Sequence, residues 1–352
     1  LKKRLAHLLQ ELRSIGEMTN LSKISNEISE SSASMIEIDE ASEGQRIDNF
    51  LAKVLKGVPK SHLYRILRSG EVRVNKKRID ATYKLLNGDL VRIPPIRTSA
   101  SQQDNSPHKP VTARLEKSII FEDDAMLVLD KPAGMAVHGG SGVSKGVIEQ
   151  LRLERPQAKF LELVHRLDRE TSGVLMVGKK RSALVALHEA MRRNQMDKRY
   201  LMLVKGHWTE KKKKVVLTLQ KYLLENGERR VSVVTGKLNP RAEDDGQTSE
   251  TIFHLKAHYG DFSLLEAQLI TGRTHQLRVQ LAHLGFPIVG DDKYGDFALN
   301  KALQKQGLKR MFLHSAETVI RHPLKDEKLK LVAPLPSELQ KFLDKLGSTS
   351  IS

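Results

Sequence analysis

The sequence predicts an α+β protein whose larger part is organised on a mixed or mostly antiparallel sheet. Strand-like runs outnumber helical runs along the chain, and their order is not the regular strand–helix alternation of a doubly wound nucleotide fold. Hairpin-type turn signals such as Asn87-Gly88-Asp89 precede apolar runs, where antiparallel neighbours need them. With no cysteine among 352 residues, disulfide staples, thiolate zinc sites, iron–sulfur clusters and a thiol nucleophile are excluded. The longest apolar runs, such as 173–177, are strand-sized and far short of the ~20 residues that cross a bilayer.

From the start, Leu5, Leu8, Leu9 and Leu12 suit an amphipathic helix over 1–15, and the Ser-rich stretch that follows, to Glu43, reads as disordered. Residues 1–43 are therefore expected to be a loosely ordered extension. Its basic first residues lack an apolar core and a cleavage site, and its 8 acidic residues are too many for a transit peptide. A cytoplasmic protein is the expectation. From Gly44 the pattern tightens. Ile47, Phe50, Leu51, Val54 and Leu55 fall at helical spacing, and Gly57-Val58-Pro59 ends that helix. A second helix begins at Ser61, with Leu63, Ile66 and Leu67 on one face, Arg65 and Arg68 outside it, and Gly70 as its stop. Val72 and Val74 alternate with Arg73, Asn75-Lys76-Lys77 is a turn, and 90–93 is a second strand. Polar residues 98–112, with two prolines, read as a linker. Residues 113–346 form the large domain, and 347–352 a tail. Strands are predicted there at 118–121, 126–129, 174–177, 200–204, 215–219, 231–234 and 262–270. Helices are predicted at 182–193, capped by Ser182, and 274–284, capped by Thr274.

The net charge of +17 is unevenly spread: residues 44–97 hold 13 basic and 4 acidic side chains. Such a module attracts polyanions, because each cation that meets a phosphate releases a counterion. The same excess also serves plain solubility, and composition leaves both readings open.

Several local patterns fail as sites. Gly173 to Lys179 has the spacing of a phosphate-binding loop, but residue 180 is Lys where Ser or Thr must reach magnesium, and its middle is pure strand. No nucleotide cofactor is expected. Gly140-Ser141-Gly142 lacks the second glycine of a nucleophile elbow. His254 and His258 are four apart, but in a strand-like stretch with no Glu at 255, so no metal is expected. One constellation survives. His165-Arg166-Leu167-Asp168-Arg169-Glu170-Thr171-Ser172-Gly173 sets an acid between two arginines before an apolar strand, and flanking guanidiniums favour its ionised form. Locally, an Asp168 that caps a turn and pairs with a neighbouring Arg is the simpler explanation of the pattern. A second cation-rich turn, Thr271 to Arg278, follows another apolar strand.

These residues carry a resemblance. The run 165–173 resembles the signature of the RluA family of pseudouridine synthases. Asp130-Lys131-Pro132-Ala133-Gly134-Met135-Ala136-Val137-His138, Lys198-Arg199-Tyr200, Gly272 to Arg278 with 285–291, and Phe312-Leu313-His314-Ser315 resemble four further family motifs. The likeness covers nearly all of 113–340. It departs at Gln280, where the family often has His, and in the Gly-Gly-Ser-Gly after His138. Residues 44–97 are similar to the small RNA-binding domain named after small-subunit ribosomal protein S-four, through Arg46-Ile47-Asp48 and the helix–helix–strand order.

The resemblance implies a catalytic domain with a cleft, joined to an RNA-binding domain. It implies an isomerase that breaks the glycosidic bond of a uridine, most simply in large-subunit ribosomal RNA, and rejoins the base through carbon 5 with no cofactor. Asp168 would be the nucleophile, Arg278 its ion-pair partner, and Tyr200 the stacking residue whose hydroxyl assists proton removal. Attack at ribose carbon 1′, attack at uracil carbon 6 and an elimination all remain open. The base must be flipped out of its stack, and Arg166 would fill the vacated place. Arg169, Arg273 and His275 are further RNA-facing candidates. In the basic module the candidates are Arg46, Lys60, Arg65, Arg68, Arg73, Lys76, Lys77 and Arg78. A monomer is the default. The alternatives are a non-catalytic RNA-binding or ribosome-assembly factor of the same fold, and a glycosylase that stops after cleavage.

Overall fold

The computed structural model describes residues 32–55, 57–96, 114–139, 145–225, 228–236 and 245–347. The anticipated linker, most of the extension and most of the tail lie outside them. The chain divides into two compact units, one drawn mainly from residues 1–114 and the other mainly from 115–352.

In the N-terminal unit, β1 (Ser34–Glu37), α1 (Ile47–Val54), α2 (Lys60–Arg68), β2 (Arg73–Val74) and β3 (Leu90–Ile93) follow in order. The three strands form an antiparallel sheet in the order β1-β3-β2. Ile47, Phe50, Leu51 and Val54 of α1 and Leu63, Ile66 and Leu67 of α2 pack with Val74, Val91 and Ile93 into one apolar core, the 3.6-residue face meeting the two-residue face. The Asn75-Lys76 turn takes positive φ at both residues, 50° and 67°, the geometry that suits a tight hairpin. The boundary expected at residue 43 falls too late. Ser34–Glu37 pairs with β3, and Ile36 and Ile38 enter the core. Four residues of strand in a Ser-rich stretch offer too little alternation to be seen in advance.

The larger unit carries β4 (Ile119–Glu122), β5 (Met126–Lys131), α3 (Val147–Glu154), β6 (Glu162–Leu163), β7 (Ser172–Gly178), α4 (Arg181–Arg192), β8 (Asp197–Lys205), β9 (Lys212–Leu223), β10 (Arg229–Val233), β11 (Gln247–Tyr259), β12 (Phe262–Leu269), α5 (Gln276–His283), α6 (Phe297–Lys305), β13 (Leu313–Arg321), β14 (Lys328–Val332) and α7 (Ser337–Leu346). Some of these residues, 151–161 and 179–181, belong to the N-terminal unit. The main sheet runs β10-β9-β11-β12-β8-β13-β7-β5-β4, with β14 on β13 and β6 on β7. All the pairings are antiparallel except β13 with β7. This is the mixed, mostly antiparallel sheet that the sequence predicts. All seven residues of β7 are buried, as its unbroken apolar run requires of a strand covered on both faces.

Two expected helix caps are displaced. α4 begins at Arg181, so Ser182 lies inside its first turn. α5 begins at Gln276, behind His275 in left-handed conformation, so Thr274 is not its cap. The Gln276 side chain instead fixes the preceding turn, its oxygen accepting the Arg273 N–H at 3.0 Å, and among the described residues no side chain caps the helix.

β13 enters the centre of the sheet between β8 and β7, and Ser315 faces Tyr200 on one side and Gly173 on the other. Gly173 sits at φ 108°, and a Cβ there would lie 2.1 Å from the Ser315 carbonyl oxygen. Backbone cannot yield as a flexible side chain can. Gly173→Ala is therefore expected to destabilise by roughly 2–4 kcal/mol, from overpacking and left-handed strain together. Urea unfolding measures it, and a loss below about 1 kcal/mol would show that the strands part without cost.

Candidate active site

The Asp168 turn is built from both of its neighbours. Thr171 N–H donates to the Asp168 carbonyl at 3.1 Å and closes the turn into β7. The loop after β5 is laced to it: Gly134 N–H donates to the Arg169 carbonyl, and Arg169 Nε donates to the Gly134 carbonyl, each at 2.9 Å. Lys131, with 0% exposure, donates its ammonium to the carbonyls of Pro132, Met135 and Arg169 at 2.8, 2.9 and 3.1 Å. Burial pushes its pKa down to about 7. On the other flank Arg310 Nη2 donates to Ser172 Oγ at 2.7 Å. His314 Nε2 meets the Ala333 carbonyl at 3.0 Å, which requires a proton on Nε2, so neutral Nδ1 accepts the Ser172 hydroxyl at 2.8 Å.

With its backbone held, the Asp168 side chain keeps 18% exposure and meets Arg278 Nη1 at 3.0 Å through Oδ2. Arg278 is 5% exposed and is itself clamped. Its Nε and Nη2 donate to the two oxygens of Asp291, both at 2.7 Å, and Nη2 also reaches Asp292 at 3.4 Å. The Tyr294 ring lies 5.2 Å below the guanidinium. Burial works against the charge on Arg278, but the Asp291 and Asp168 carboxylates outweigh it and hold the pKa above the ordinary arginine value. Asp291, 1% exposed, loses by burial and gains more from Arg278, so its carboxyl stays below the usual range. A fork–fork pair of this kind fixes the guanidinium in one plane. One N–H edge is then left for Asp168.

The acid opens onto a cavity of about 230 Å³, lined among others by Arg166, Met176, Lys198, Tyr200, Arg273, His275 and Leu313. At ~30 Å³ per water, this holds the equivalent of about eight. Tyr200 is buried and its hydroxyl bonds to Ser315; burial raises its pKa to about 12, so it is a neutral phenol. His275 Nε2 lies 3.8 Å from Asp168 Oδ2, and its Nδ1 is 2.8 Å from the Tyr294 hydroxyl, which also accepts Val231 N–H. Desolvation lowers the His275 pKa and the Asp168 charge only partly restores it. His165 is likewise neutral, pushed down to about 4 by burial, with Nε2 accepting the Met176 N–H.

The expected trio of Asp168, Tyr200 and Arg278 is brought to one cavity. Arg166 and Arg273 stand exposed at its edge, whereas His275, 13% exposed, is part of the wall. Arg169 is exposed, but its Nε is spent on Gly134. In the N-terminal unit, Lys60, Arg65, Arg68, Arg73, Lys76, Lys77 and Arg78 are exposed, and none has a carboxylate partner among the described residues. Arg46 differs: it forks onto Asp48 at 2.7 and 3.2 Å, which in turn accepts the Tyr64 hydroxyl. Its charge is largely neutralised within the module. Gln280, the departure from the family pattern, is buried; it accepts Thr251 Oγ1 at 2.7 Å and donates to Ser249 Oγ at 3.0 Å, tying α5 to β11 away from the acid.

Sequence reasoning did not assign Asp291, Tyr294, Lys131 or Lys198. Asp291 lay inside a quoted motif, but only the turn after α5 reveals that it folds back under Arg278. Asp291→Asn is expected to cost about 3 kcal/mol near neutral pH, because a buried guanidinium loses its charged partner. The folded carboxyl is held below its ordinary 3.8, so its contribution is complete above that value and is withdrawn as acid protonates it. Urea unfolding at pH 7 and pH 3 should show the gap between parent and variant narrowing at the lower pH; a gap equal at both would remove the charge from the account.

Residues 125–283 match the family model described as RNA pseudouridylate synthase, and residues 45–91 match the S4 domain model. The chain is 51% identical to the ribosomal large subunit pseudouridine synthase C of Escherichia coli K12 over 314 residues, 88% of this chain and 95% of that one. It is 48% identical to the protein of the same name from Haemophilus influenzae over 328 residues, 93% and 99% of the two chains. Among solved structures, human RNA pseudouridylate synthase domain containing 4 aligns with TM-score 0.54 and 25% identity, covering 68% of this chain and 96% of its own. Kinship at this level across nearly the whole chain, together with the site described above, places it: the protein belongs to the RNA pseudouridylate synthase family, as an RluA/RluC-like member with an S4 RNA-binding domain.

Proposed function

We propose that this protein isomerises uridines of large-subunit ribosomal RNA to pseudouridine, with Asp168 supplying the nucleophilic oxygen. The observation that carries the reading is the Asp168–Arg278 contact at 3.0 Å, made at the wall of a nucleoside-sized cavity by a guanidinium that Asp291 holds in place. An anion that must attack carbon needs to be aimed and only partly solvated, and this contact with a fixed guanidinium supplies both.

An extruded uridine enters beside Asp168. The Tyr200 ring offers an apolar face to the base, and its neutral hydroxyl stays a hydrogen-bonding group at physiological pH. Arg166 and Arg273, exposed at the edge, suit the phosphates on either side and the gap left in the RNA stack. The exposed cations of the N-terminal unit, Lys60, Arg65, Arg68, Arg73, Lys76, Lys77 and Arg78 among them, hold RNA by its backbone. The choice of large-subunit ribosomal RNA rests on what the curated relatives are named for.

Isomerisation replaces the hydrogen on uracil carbon 5 by a bond to ribose. Large-subunit RNA transcribed with uridine tritiated at carbon 5 should therefore release label to water in step with pseudouridine formed, with no free uracil. Carbodiimide-dependent reverse-transcription stops in ribosomal RNA from cells lacking the protein should disappear at its target positions. Release of free uracil would make the protein a glycosylase; RNA binding with no tritium release would make it a non-catalytic binder.

A further inference from the structure

Lys198 stands two residues before Tyr200 on β8, hence on the same face of that strand, and it lines the Asp168 cavity. The other cations there are accounted for. Arg278 spends Nε, Nη1 and Nη2 on Asp291, Asp168 and Asp292, and Arg166 and Arg273 are exposed. His165 and His275 are pushed toward neutrality by burial. Among the cavity-lining cations of the described residues, only Lys198 combines a partly buried position with no carboxylate partner. Desolvation lowers its pKa with nothing opposing it. Its Nζ lies beside Gly272 of the cavity wall, 3.7 Å from where a Cβ would stand on that residue. A desolvated cation without a partner costs stability, and it is aimed where a nucleoside must go.

We propose that Lys198 donates a hydrogen bond to a pyrimidine carbonyl oxygen of the extruded uridine and takes up the negative charge that develops there. The inference rests on the isomerase reading above. When the N1–C1′ bond breaks, its electron pair stays on N1 and is shared with O2 and O4, while an Asp168 carboxylate oxygen bonds to C1′. Carbon 5 then bonds to C1′ with a pair from the uracil anion, and the Asp168 oxygen leaves with its own pair. The carbon 5 proton passes to water and N1 gains one. Addition of Asp168 to uracil carbon 6 would instead place the displaced pair on O4. On either route a carbonyl oxygen of the base becomes an oxyanion, and Lys198 keeps its proton throughout. A fixed cation at a developing oxyanion acts on kcat, whereas a phosphate clamp would act mainly on binding.

The test is Lys198→Met beside Lys198→Arg, assayed at saturating RNA on uridine and on 5-fluorouridine, whose base is the better leaving anion. Lys198→Met should lose on the order of 10²-fold in kcat with RNA affinity within about threefold. The loss should shrink at least about tenfold for glycosidic cleavage of the fluorinated RNA. Lys198→Arg should recover most of the rate, and the melting temperature of Lys198→Met should rise, since a partly desolvated cation without a carboxylate partner among the described residues is removed. Retained kcat with weakened RNA binding would make Lys198 a phosphate contact and overturn the proposal, as would an equal loss on both substrates or a lowered melting temperature. If the parent protein forms no pseudouridine, the isomerase reading fails instead; an active parent with an unaffected variant defeats Lys198 alone.

Discussion

Asp168→Asn lowers turnover by at least about 10³-fold, the scale of losing a nucleophile, while RNA affinity stays within about threefold of the parent. Asparagine keeps the shape of the side chain and can still accept the Arg278 Nη1 hydrogen bond. Arg278 retains both bonds to Asp291, so no buried charge is left bare and the fold should hold. What disappears is the anionic oxygen. A neutral amide can neither attack an electrophilic carbon at a useful rate nor stabilise one. Single-turnover pseudouridine yield, RNA dissociation constant and melting temperature, measured on the same preparation, separate chemistry from binding and folding. Pseudouridine formed at near-parental rate would take Asp168 out of the mechanism.

The second large effect is on binding. Lys60, Arg65, Arg68, Arg73, Lys76, Lys77 and Arg78, exposed on the N-terminal unit without a carboxylate partner among the described residues, suit about 6–10 phosphate contacts by that module. Affinity for structured ribosomal RNA should then fall on the order of 10³–10⁵-fold between 50 and 200 mM salt. Lys76→Ala with Lys77→Ala should reduce the slope of log Kd against log salt by about two and leave kcat at saturating RNA unchanged. Arg46→Ala should change the slope least of the module's arginines, because Asp48 already neutralises it. A flat salt response would mean that these charges face solvent only.

The fold was legible where burial leaves a period. The apolar run of β7 and the Leu63, Ile66, Leu67 face of α2 are read directly from the sequence. α5 was also predicted, from Leu277, Leu281 and Leu284, but the burial of Gln276, Arg278 and Gln280 beside them was not legible, because those polar side chains bond inward to partners distant in sequence. α6, with one buried residue, offered too little periodicity to predict. In the site, Asp168 stood out through its flanking arginines. Its partnership with Arg278, 110 residues away, followed from the family likeness alone. Asp291 and Lys198 were not assigned because ion pairing and desolvation are properties of three-dimensional neighbours.

The late arrival of β13 at the middle of the sheet has a consequence for biosynthesis. Until residues 313–321 leave the ribosome, β7 and β8 have no common neighbour, and the Ser315 hydroxyl that meets Tyr200 is missing. Long-range pairing of this kind is slow and leaves strand edges open to wrong partners. A nascent chain thus carries the acid, the phenol and the guanidinium for some time before they share a finished sheet, and a message truncated between β8 and that strand is expected to yield aggregation-prone polypeptide, not a weaker catalyst.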